Sequence, residues 1–255
     1  MSERQTNYTI MEGYELPSKG KIYDTEVNPH IELRSMTARD EMKRLSPSTT
    51  PLKTLSDIIE GCCIEKPSIH VYDMCIGDYE YLLHKLRIVT YGEKYKLANR
   101  CPHCLGATEG TMNLGDLFLK DFDEEQYNSI KTFELPASHK IVKLKNQTPR
   151  LAEEIEAAAK EKKRKFKGVE LDFDILCKIT HSIDTIDEVK YNQFDLEQIV
   201  NNLSALDMQK LLNNIEALGQ AIGIDTVFET TCSKCGEDFL TFFRYGPEFF
   251  RPTNI

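Results

Sequence analysis

The sequence predicts an α+β fold that is mostly helical, with a small β unit formed by two distant cysteine turns and a large helical insert between them. Three observations support it: apolar residues recur at helical spacing over much of the chain, two CxxC pairs are flanked by strand-forming residues, and residues 105–231 separate the pairs. The length of 255 residues suits one large or two ordinary domains, and 40% hydrophobic with 29% charged residues is typical of a soluble globular protein.

We expect five segments along the chain. They are an extended amino-terminal arm (1–30), a small helical unit (31–92), a ribbon unit (93–115 with 225–245), a hairpin and helical insert (116–224) and a tail (246–255). The arm is expected to be extended because Pro17, Gly20 and Pro29 interrupt it.

Helix starts are predicted where a capping residue precedes an apolar period. Thr37 and Asp40 have the spacing of a capping box, so a helix is expected to begin there. This helix is expected to run to Leu45. The other predictions are a strand at 31–36, helices at 52–62 and 77–91, a hairpin of 131–134 with 140–145, and helices from 148 onward, at 170–182, 195–203 and 204–218, the last stopped by Gly219.

The cysteine pairs predict one metal site. Cys101 and Cys104 belong to a Cys-Pro-His-Cys turn, and Cys232 and Cys235 to a Cys-Ser-Lys-Cys turn, each with a glycine just beyond. The CxxC spacing lets two thiolates from one tight turn reach the same ion, and two such turns complete the tetrahedron that structural Zn²⁺ prefers. We therefore expect these four cysteines to be the ligands of one structural zinc, with strands leading into and out of each turn.

Because the two pairs are far apart in the sequence, one shared metal ion is expected to cross-link remote segments of the chain. Closing a loop of this length costs about 4 kcal/mol, whereas structural zinc sites release on the order of 10 to 16 kcal/mol. The remaining cysteines, Cys62, Cys63, Cys75 and Cys177, fall in apolar helical patterns and are interpreted as buried core residues. A second metal site using Cys62, Cys63 and Cys75 is the alternative.

The predicted site is not expected to be catalytic. Cys-Pro-His-Cys also occurs as a redox sequence, but an activated thiolate there begins a helix, whereas Leu105 to Gly110 has two glycines and no apolar helical period. A four-cysteine shell leaves no open position for water or substrate, and His103 is not needed as a ligand. No nucleophile and base arrangement, zinc-protease motif or phosphate-binding glycine loop is found, so no small-molecule substrate is expected.

Charge and hydropathy restrict the class of partner. The formal net charge of −9 opposes general nucleic-acid binding, which needs clustered cations. The basic run Lys160–Lys167 ends a predicted helix, where cations favour the negative end of the helix dipole. No apolar run approaches the roughly 20 residues of a membrane span, and the first residues show no apolar signal core. We expect an intracellular protein that contacts other proteins.

Aromatic and apolar residues near both ends are the candidates for those contacts, because aromatic residues are enriched where interfaces concentrate binding energy. The candidates are Leu16, Tyr23, Phe242, Tyr245, Phe249 and Phe250. Two alternatives stay open for the arm: its apolar residues dock on a neighbouring subunit or lie over this chain's own core. Along 238–243, alternation is expected to bury one face and expose the other.

Three phrases, followed by the first cysteine pair, resemble a bacteriophage family. They are Leu16–Tyr23 (LPSKGKIY), Ile31–Met42 (IELRSMTARDEM) and Asp78–Gly92 (DYEYLLHKLRIVTYG). They are similar to the small baseplate hub and hub-assembly proteins of contractile-tailed, T-even-type phages, over roughly residues 15–112.

The resemblance implies a non-catalytic structural or assembly role at the centre of the tail baseplate. Its implied partners are other hub, tube or wedge proteins, and its implied location is the host cytoplasm during assembly and then the virion. The alternative function is a zinc-ribbon, nucleic-acid-associated or transcription accessory factor of a phage, with Lys160–Lys167 on phosphate.

Overall fold

The computed structural model describes residues 10–243, 245 and 247–250. Residues 1–9 of the predicted arm, and residues 246 and 251–255 of the predicted tail, lie outside the described residues. Within the described part, helices are combined with small antiparallel sheets, so the predicted α+β class is confirmed. The segment boundaries given above stay predictions.

The helices are longest in the middle of the chain and in the insert. In chain order they are α1 (Ala38–Leu45), α2 (Pro51–Cys62), α3 (Ile76–Tyr91), α4 (Glu124–Lys131), α5 (Pro149–Lys165), α6 (Phe173–Ser182), α7 (Gln193–Asn201) and α8 (Ala205–Gln220). Short 3₁₀ turns occur at Val71–Asp73, Leu114–Asp116 and Pro247–Phe250. Among the helices of the described residues, none combines the length and apolarity that a bilayer crossing requires.

The strands pair only with near neighbours in sequence, apart from one. In chain order they are β1 (Met11–Glu15), β2 (His30–Arg34), β3 (Lys94–Arg100), β4 (Ala107–Asn113), β5 (Thr132–Glu134), β6 (Ile141–Leu144), β7 (Ile183–Ile186), β8 (Val227–Thr231) and β9 (Asp238–Phe242). The antiparallel sheets are β1-β2, β3-β4, β5-β6-β7 and β8-β9. Each half of the predicted ribbon is therefore a two-stranded hairpin with its cysteine turn at the tip.

Local capping signals position several helix starts where the sequence predicts them. Thr37 and Asp40 form the predicted capping box, with the Thr37 N–H donating to the Asp40 carboxylate at 2.9 Å. Thr148 caps α5 through the Leu151 N–H at 3.1 Å, and Ser204 caps α8. These bonds satisfy backbone donors that a helix start otherwise leaves without partners.

The predicted stop of α8 is wrong. The helix runs through Gly219 to Gln220, and the glycine with a left-handed backbone is Gly223, at φ +107°. A glycine is tolerated inside a helix at a cost of about 1 kcal/mol, so it does not by itself end one.

Three elements have no counterpart in the sequence predictions. β1 pairs with β2 and so converts part of the expected extended arm into a hairpin. α4 buries only Tyr127, which leaves no apolar period to detect. β7 follows α6 directly, with no glycine or proline between them, and becomes a strand by pairing with β6.

The first hydrophobic core joins the two ends of the chain. Buried residues of β2, α2 and α3 pack with Tyr95, Phe243 and Phe249. The fully buried Arg87 of α3 donates to the carbonyl oxygen of Phe249 at 3.0 Å and to that of Gly92 at 2.7 Å. The carboxyl-terminal aromatic segment is thereby fixed against α3.

The second hydrophobic core lies in the insert. Helices α4, α6, α7 and α8 and the β5-β6-β7 sheet supply most of its buried residues. Ile22 and Cys75, from outside the insert, also belong to this cluster. The loop after β1 and the start of α3 therefore connect the two cores.

Candidate metal centre

The first cysteine turn forms at the tip of the β3-β4 hairpin. The strands end at the pair Arg100 and Ala107, and the Cys101 N–H donates to the Gly106 carbonyl at 3.0 Å. The Leu105 N–H returns to the Cys101 carbonyl at 2.9 Å. This second bond needs Leu105 in the left-handed region, at φ +58°, which is uncommon for a residue with a branched side chain.

The second turn repeats this backbone at the tip of β8-β9. The Cys232 N–H donates to the Glu237 carbonyl at 2.9 Å, and the Gly236 N–H to the Cys232 carbonyl at 3.0 Å. Gly236 occupies the position of Leu105 and has φ +78°, a conformation that suits glycine. The two cysteine turns, 101–106 and 232–237, are called knuckles below. They are thus equivalent in backbone geometry, although their sequences share only the cysteines.

The four sulfur atoms converge on one point. The Cys101 and Cys235 Sγ atoms are 3.7 Å apart, as are those of Cys104 and Cys232, and all four lie within 4.8 Å of one another. A regular tetrahedron of sulfurs about 2.3 Å from a zinc ion has edges of about 3.8 Å. The predicted convergence of the four cysteines is confirmed, and the arrangement fits a tetrahedral metal ion.

Contacts between the two knuckles hold them in this pose. The Ser233 N–H donates to Thr108 Oγ1 at 3.1 Å, and the two hydroxyls are 2.9 Å apart. A Cβ added to Gly106 would lie 2.7 Å from Cδ of Lys234 and 3.2 Å from the Cys104 sulfur. The glycine therefore makes room for the Lys234 side chain and for a ligand sulfur.

The centre is half closed by the protein. Cys101 and Cys232 are buried and form a small apolar cluster with Phe239, whereas Cys104 and Cys235 are exposed. The Cys232 sulfur accepts hydrogen bonds from the backbone N–H groups of Cys235 and Lys234, and the distance from the Lys234 nitrogen is 3.4 Å. These bonds lower the pKa of the Cys232 thiol to about 6. Amide donors stabilise a thiolate, which is the form that binds a metal.

The chemistry of the donor set is that of a structural site. Four thiolates complete the shell of a tetrahedral ion and leave no position for water or substrate. Among the described residues, Cys62, Cys63 and Cys75 do not form a second group able to hold a metal. Cys62 and Cys75 are buried in different hydrophobic cores, and burial raises the pKa of the Cys62 thiol to about 11.

Sequence reasoning identified the four cysteines that converge, but it missed the residues that connect the two cysteine turns. The whole insert lies between Thr108 and Ser233 in the sequence, and no spacing rule relates the two residues. The signal in the sequence was the position of the two residues: Ser233 lies inside the second CxxC turn, and Thr108 is the second residue of β4, the strand that leaves the first turn.

Two of the six predicted partner-contact residues, Leu16 and Tyr23, lie in the loop after β1. Leu16 is buried in the first core, and the Tyr23 hydroxyl donates to the Asp78 carboxylate at 2.6 Å. Ser18, in the same loop, donates to Asp78 through its N–H at 2.9 Å and its hydroxyl at 2.5 Å. Two of the phrases that carry the resemblance, Leu16–Tyr23 and Asp78–Gly92, are therefore hydrogen-bonded to each other within this chain.

The other four candidates follow the second knuckle. Phe249 and Phe250 are buried in the first core and Tyr245 is half-buried, whereas Phe242 on β9 is 50% exposed. The predicted alternation along β9 is confirmed, since Phe239 is buried and Leu240 is 72% exposed. Contact with a partner stays a prediction for all six residues, and Phe242 is the one whose ring is substantially open to solvent.

The basic run at the end of α5 is largely neutralised by carboxylates. Four of its lysines form ion pairs within α5 or with the neighbouring helices. The pairs are Lys160 with Glu156, Lys162 with Glu197, Lys163 with Asp174 and Lys165 with Glu161. Cations already matched in this way are poorly suited to release counterions from a nucleic-acid backbone.

One comparison with known proteins gives a match. A family described as T4 bacteriophage base plate protein matches residues 8–251, which is nearly the whole chain. No curated protein and no solved structure matches this chain.

Proposed function

Because the chain belongs to the family of T4 bacteriophage base plate proteins, we propose that it is a structural or assembly component of the hub region of a phage tail baseplate, stabilised by one Zn²⁺ on Cys101, Cys104, Cys232 and Cys235. The family match over residues 8–251 carries the baseplate part of this proposal. The hub assignment is supported by the phrase Leu16–Tyr23 and the other two phrases named above.

The zinc assignment is supported by the sulfur geometry. A tetrahedral set of four thiolates selects zinc or iron among common metals, and zinc is the usual ion where two CxxC turns face each other. In this position the ion joins β3-β4 to β8-β9, and β9 leads directly into the aromatic segment that completes the first core. The metal would thus fix the shape that the baseplate neighbours contact.

The outer face of β8-β9 is the proposed contact surface. Val227 and Phe242 lie opposite each other in the register and are 52% and 50% exposed, and the next outward residue on β9, Leu240, is 72% exposed. Apolar side chains grouped on one face of a two-stranded sheet are typical of a surface that another protein covers. We propose other hub, tube or wedge proteins as the partners.

A catalytic role is not part of this proposal. The closed four-thiolate shell has no position for a substrate, and the assembly role needs only a stable shape and exposed contacts. The protein would be made in the host cytoplasm and incorporated into the tail.

The fractionation of infected-cell extracts tests the assignment. We expect mass spectrometry to find the chain in purified tails or in hub assembly intermediates, and deletion of its gene to stop tail assembly before the hub is complete. Expression of the gene from a plasmid should restore assembly. A chain that is absent from tails and intermediates, with normal tails in the deletion mutant, would falsify the assignment.

A further inference from the structure

A cavity outside the metal centre combines apolar walls with polar groups that lack partners. It has a volume of about 400 Å³ and lies between the end of α1, the start of α2, helix α3 and the carboxyl-terminal segment. Its apolar walls include Leu52, Leu55, Leu83 and Phe250. Glu80 of α3 supplies a carboxyl group to the lining.

The Glu80 carboxylate has neither a hydrogen bond nor an ion pair with the residues that the structure describes. Burial raises the pKa of Glu80 to about 7, and the charge of Lys120 opposes this rise. Lys120 itself is held elsewhere, since its Nζ donates to the Gln220 carbonyl at 2.9 Å. A half-buried carboxylate without a donor is costly to keep charged, so a cation that enters the cavity is favoured.

Two hydroxyl groups at the same cavity also lack partners. Tyr79 and Tyr245 line it, and the hydroxyl oxygen of each is buried without a hydrogen bond among the described residues. Burial, and after it the charge of Glu80, raises the pKa of both hydroxyl groups. Buried polar groups are normally paired, so two buried hydroxyls without partners beside a half-buried carboxylate indicate a missing hydrogen-bonding group at this cavity.

The other charged group of the lining does not fill this role. Arg44 pairs with Glu41, with the closer nitrogen to oxygen distance at 2.6 Å, and its guanidinium lies 5.5 Å from the centre of the Phe250 ring. Its charge is thus already matched on α1. Glu80 is left as the acceptor for an incoming cation.

We propose that this cavity is a binding site for the side chain of a lysine from a neighbouring protein. The four-carbon stem of lysine matches the apolar walls, and its ammonium has three donors for the Glu80 carboxylate and the Tyr79 and Tyr245 hydroxyls. Arginine fits less well, because its five donors lie in one rigid plane, whereas the three donors of an ammonium can rotate toward three separate acceptors. That the neighbour is a baseplate protein rests on the proposed function, whereas the ammonium site does not.

The site is tested with n-butylammonium, which reproduces the lysine side chain beyond Cα. The ¹⁵N-labelled full chain is titrated, and the amide shifts of Leu52, Tyr79 and Leu83 are followed. We expect saturable shifts, an apparent affinity at least tenfold weaker in Glu80→Gln, and no saturable shift with n-butanol, which has the same stem without the charge. Glu216→Gln, which changes an exposed helical glutamate, should bind like the wild type.

The hydroxyls give a second variant in case Glu80→Gln unfolds. Tyr79→Phe should weaken n-butylammonium binding several-fold and leave the melting temperature equal or higher, because it removes a buried hydroxyl that has no partner without ligand. Absence of saturable shifts in the wild type, or equal affinity in Glu80→Gln, overturns the site. Binding that occurs only in Arg244→Ala or Arg251→Ala would show that the chain's own arginine fills it, and also overturns the proposal.

Carbodiimide treatment of purified tails tests the neighbour. The reagent joins a carboxyl to an amine as an amide, with the lost water taken up as a urea. We expect a cross-linked peptide that contains Glu80 and a lysine of another protein. No Glu80 cross-link, or one only to this chain, overturns the neighbouring lysine but not the presence of the chain in tails.

Discussion

The left-handed position of each knuckle shows how one residue sets the cost of a turn. Gly236 adopts φ +78° without steric strain, whereas Leu105 holds φ +58° with a side chain that is 69% exposed. A left-handed residue other than glycine costs roughly 1 to 2 kcal/mol. The Leu105 side chain therefore does not contribute its usual burial energy to this chain.

We predict that Leu105→Gly keeps the metal and raises the free energy of unfolding, or leaves it unchanged within about 1 kcal/mol. Relief of the left-handed strain is partly offset by the greater freedom of glycine in the unfolded state. Urea unfolding of the metal-bound protein measures the change. Gly236→Leu is the matched control, and it should destabilise by roughly 1 kcal/mol or more; a large loss of stability in Leu105→Gly would contradict the argument.

Asp78 is a second residue whose surroundings decide its role. It is fully buried at the start of α3 and accepts three hydrogen bonds from Ser18 and Tyr23. Burial raises the pKa of Asp78, and the hydrogen bonds from Ser18 and Tyr23 oppose that rise. The loop after β1 thus supplies the donors that make a buried carboxylate tolerable.

We predict that Tyr23→Phe lowers the free energy of unfolding by about 1.5 to 3 kcal/mol, because hydrogen bonds to charged groups contribute this much. Tyr191→Phe is the control, since Tyr191 is partly buried beside the second core but has no such bond to a buried carboxylate. Urea denaturation of both variants gives the comparison. Equal, small losses in the two proteins would show that the bond to Asp78 has no special weight.

At the scale of single elements, features that depend on contacts between residues close in sequence were predictable, and features that depend on distant pairing were not. The helix starts at Thr37, Thr148 and Ser204 depend on bonds to residues three positions away, and all three were predictable. β7 depends on pairing with β6, which no local pattern encodes. The two CxxC turns were predictable because each turn is local, whereas the contact of Thr108 with Ser233 requires the folded chain.

The capping box of α1 gives a prediction that depends on pH. Asp40 accepts from the Thr37 N–H and from Arg34 Nη1, both at 2.9 Å. Burial raises the pKa of Asp40, but the bonds from Arg34 and Thr37 outweigh it, so the pKa is lowered. A carboxyl with a lowered folded-state pKa adds stability above its unfolded pKa, near 4, and loses it as the pH falls through the folded value.

We therefore expect Asp40→Asn to lower the free energy of unfolding by about 2 kcal/mol at pH 7, and the difference from wild type to shrink as the pH falls below about 4. Asp195→Asn is the matched control, because Asp195 holds the same position in α7 but is exposed. Urea unfolding at pH 7 and pH 3 checks both variants. A difference that is the same at the two pH values would refute the assigned role.

At the scale of the whole molecule, the burial of the carboxyl-terminal aromatics could not be read from the sequence. Their pattern identified a group that needed covering, and both an internal and an external cover were consistent with it. The structure covers Phe243, Phe249 and Phe250 with this chain's own α3, and Arg87 fixes the segment through the Phe249 carbonyl. The cavity at Glu80 was equally beyond prediction, because four separate segments line it.

The proposed zinc ion would connect these distant parts of the chain, so the loss of one cysteine should destabilise regions far from the two cysteine turns. Cys101→Ser removes one thiolate from the first knuckle, and Cys232→Ser removes one from the second. We predict that each loses the zinc and that the melting temperature falls by roughly 10 °C or more, since a few kcal/mol correspond to that shift in a chain of this size. Elemental analysis and calorimetry measure the two effects.

Cys63→Ser is the control that separates loss of a metal ligand from loss of any cysteine. The Cys63 sulfur bonds the Ile59 carbonyl at 3.3 Å, which a serine hydroxyl can also do, and it lies outside the four-sulfur group. This variant should keep one zinc per chain and nearly the wild-type melting temperature. Because Cys101 and Cys232 act through the same ion, the double variant should be no less stable than the worse single one. Losses that add in full would mean that the two knuckles stabilise the protein separately and that no shared ion joins them.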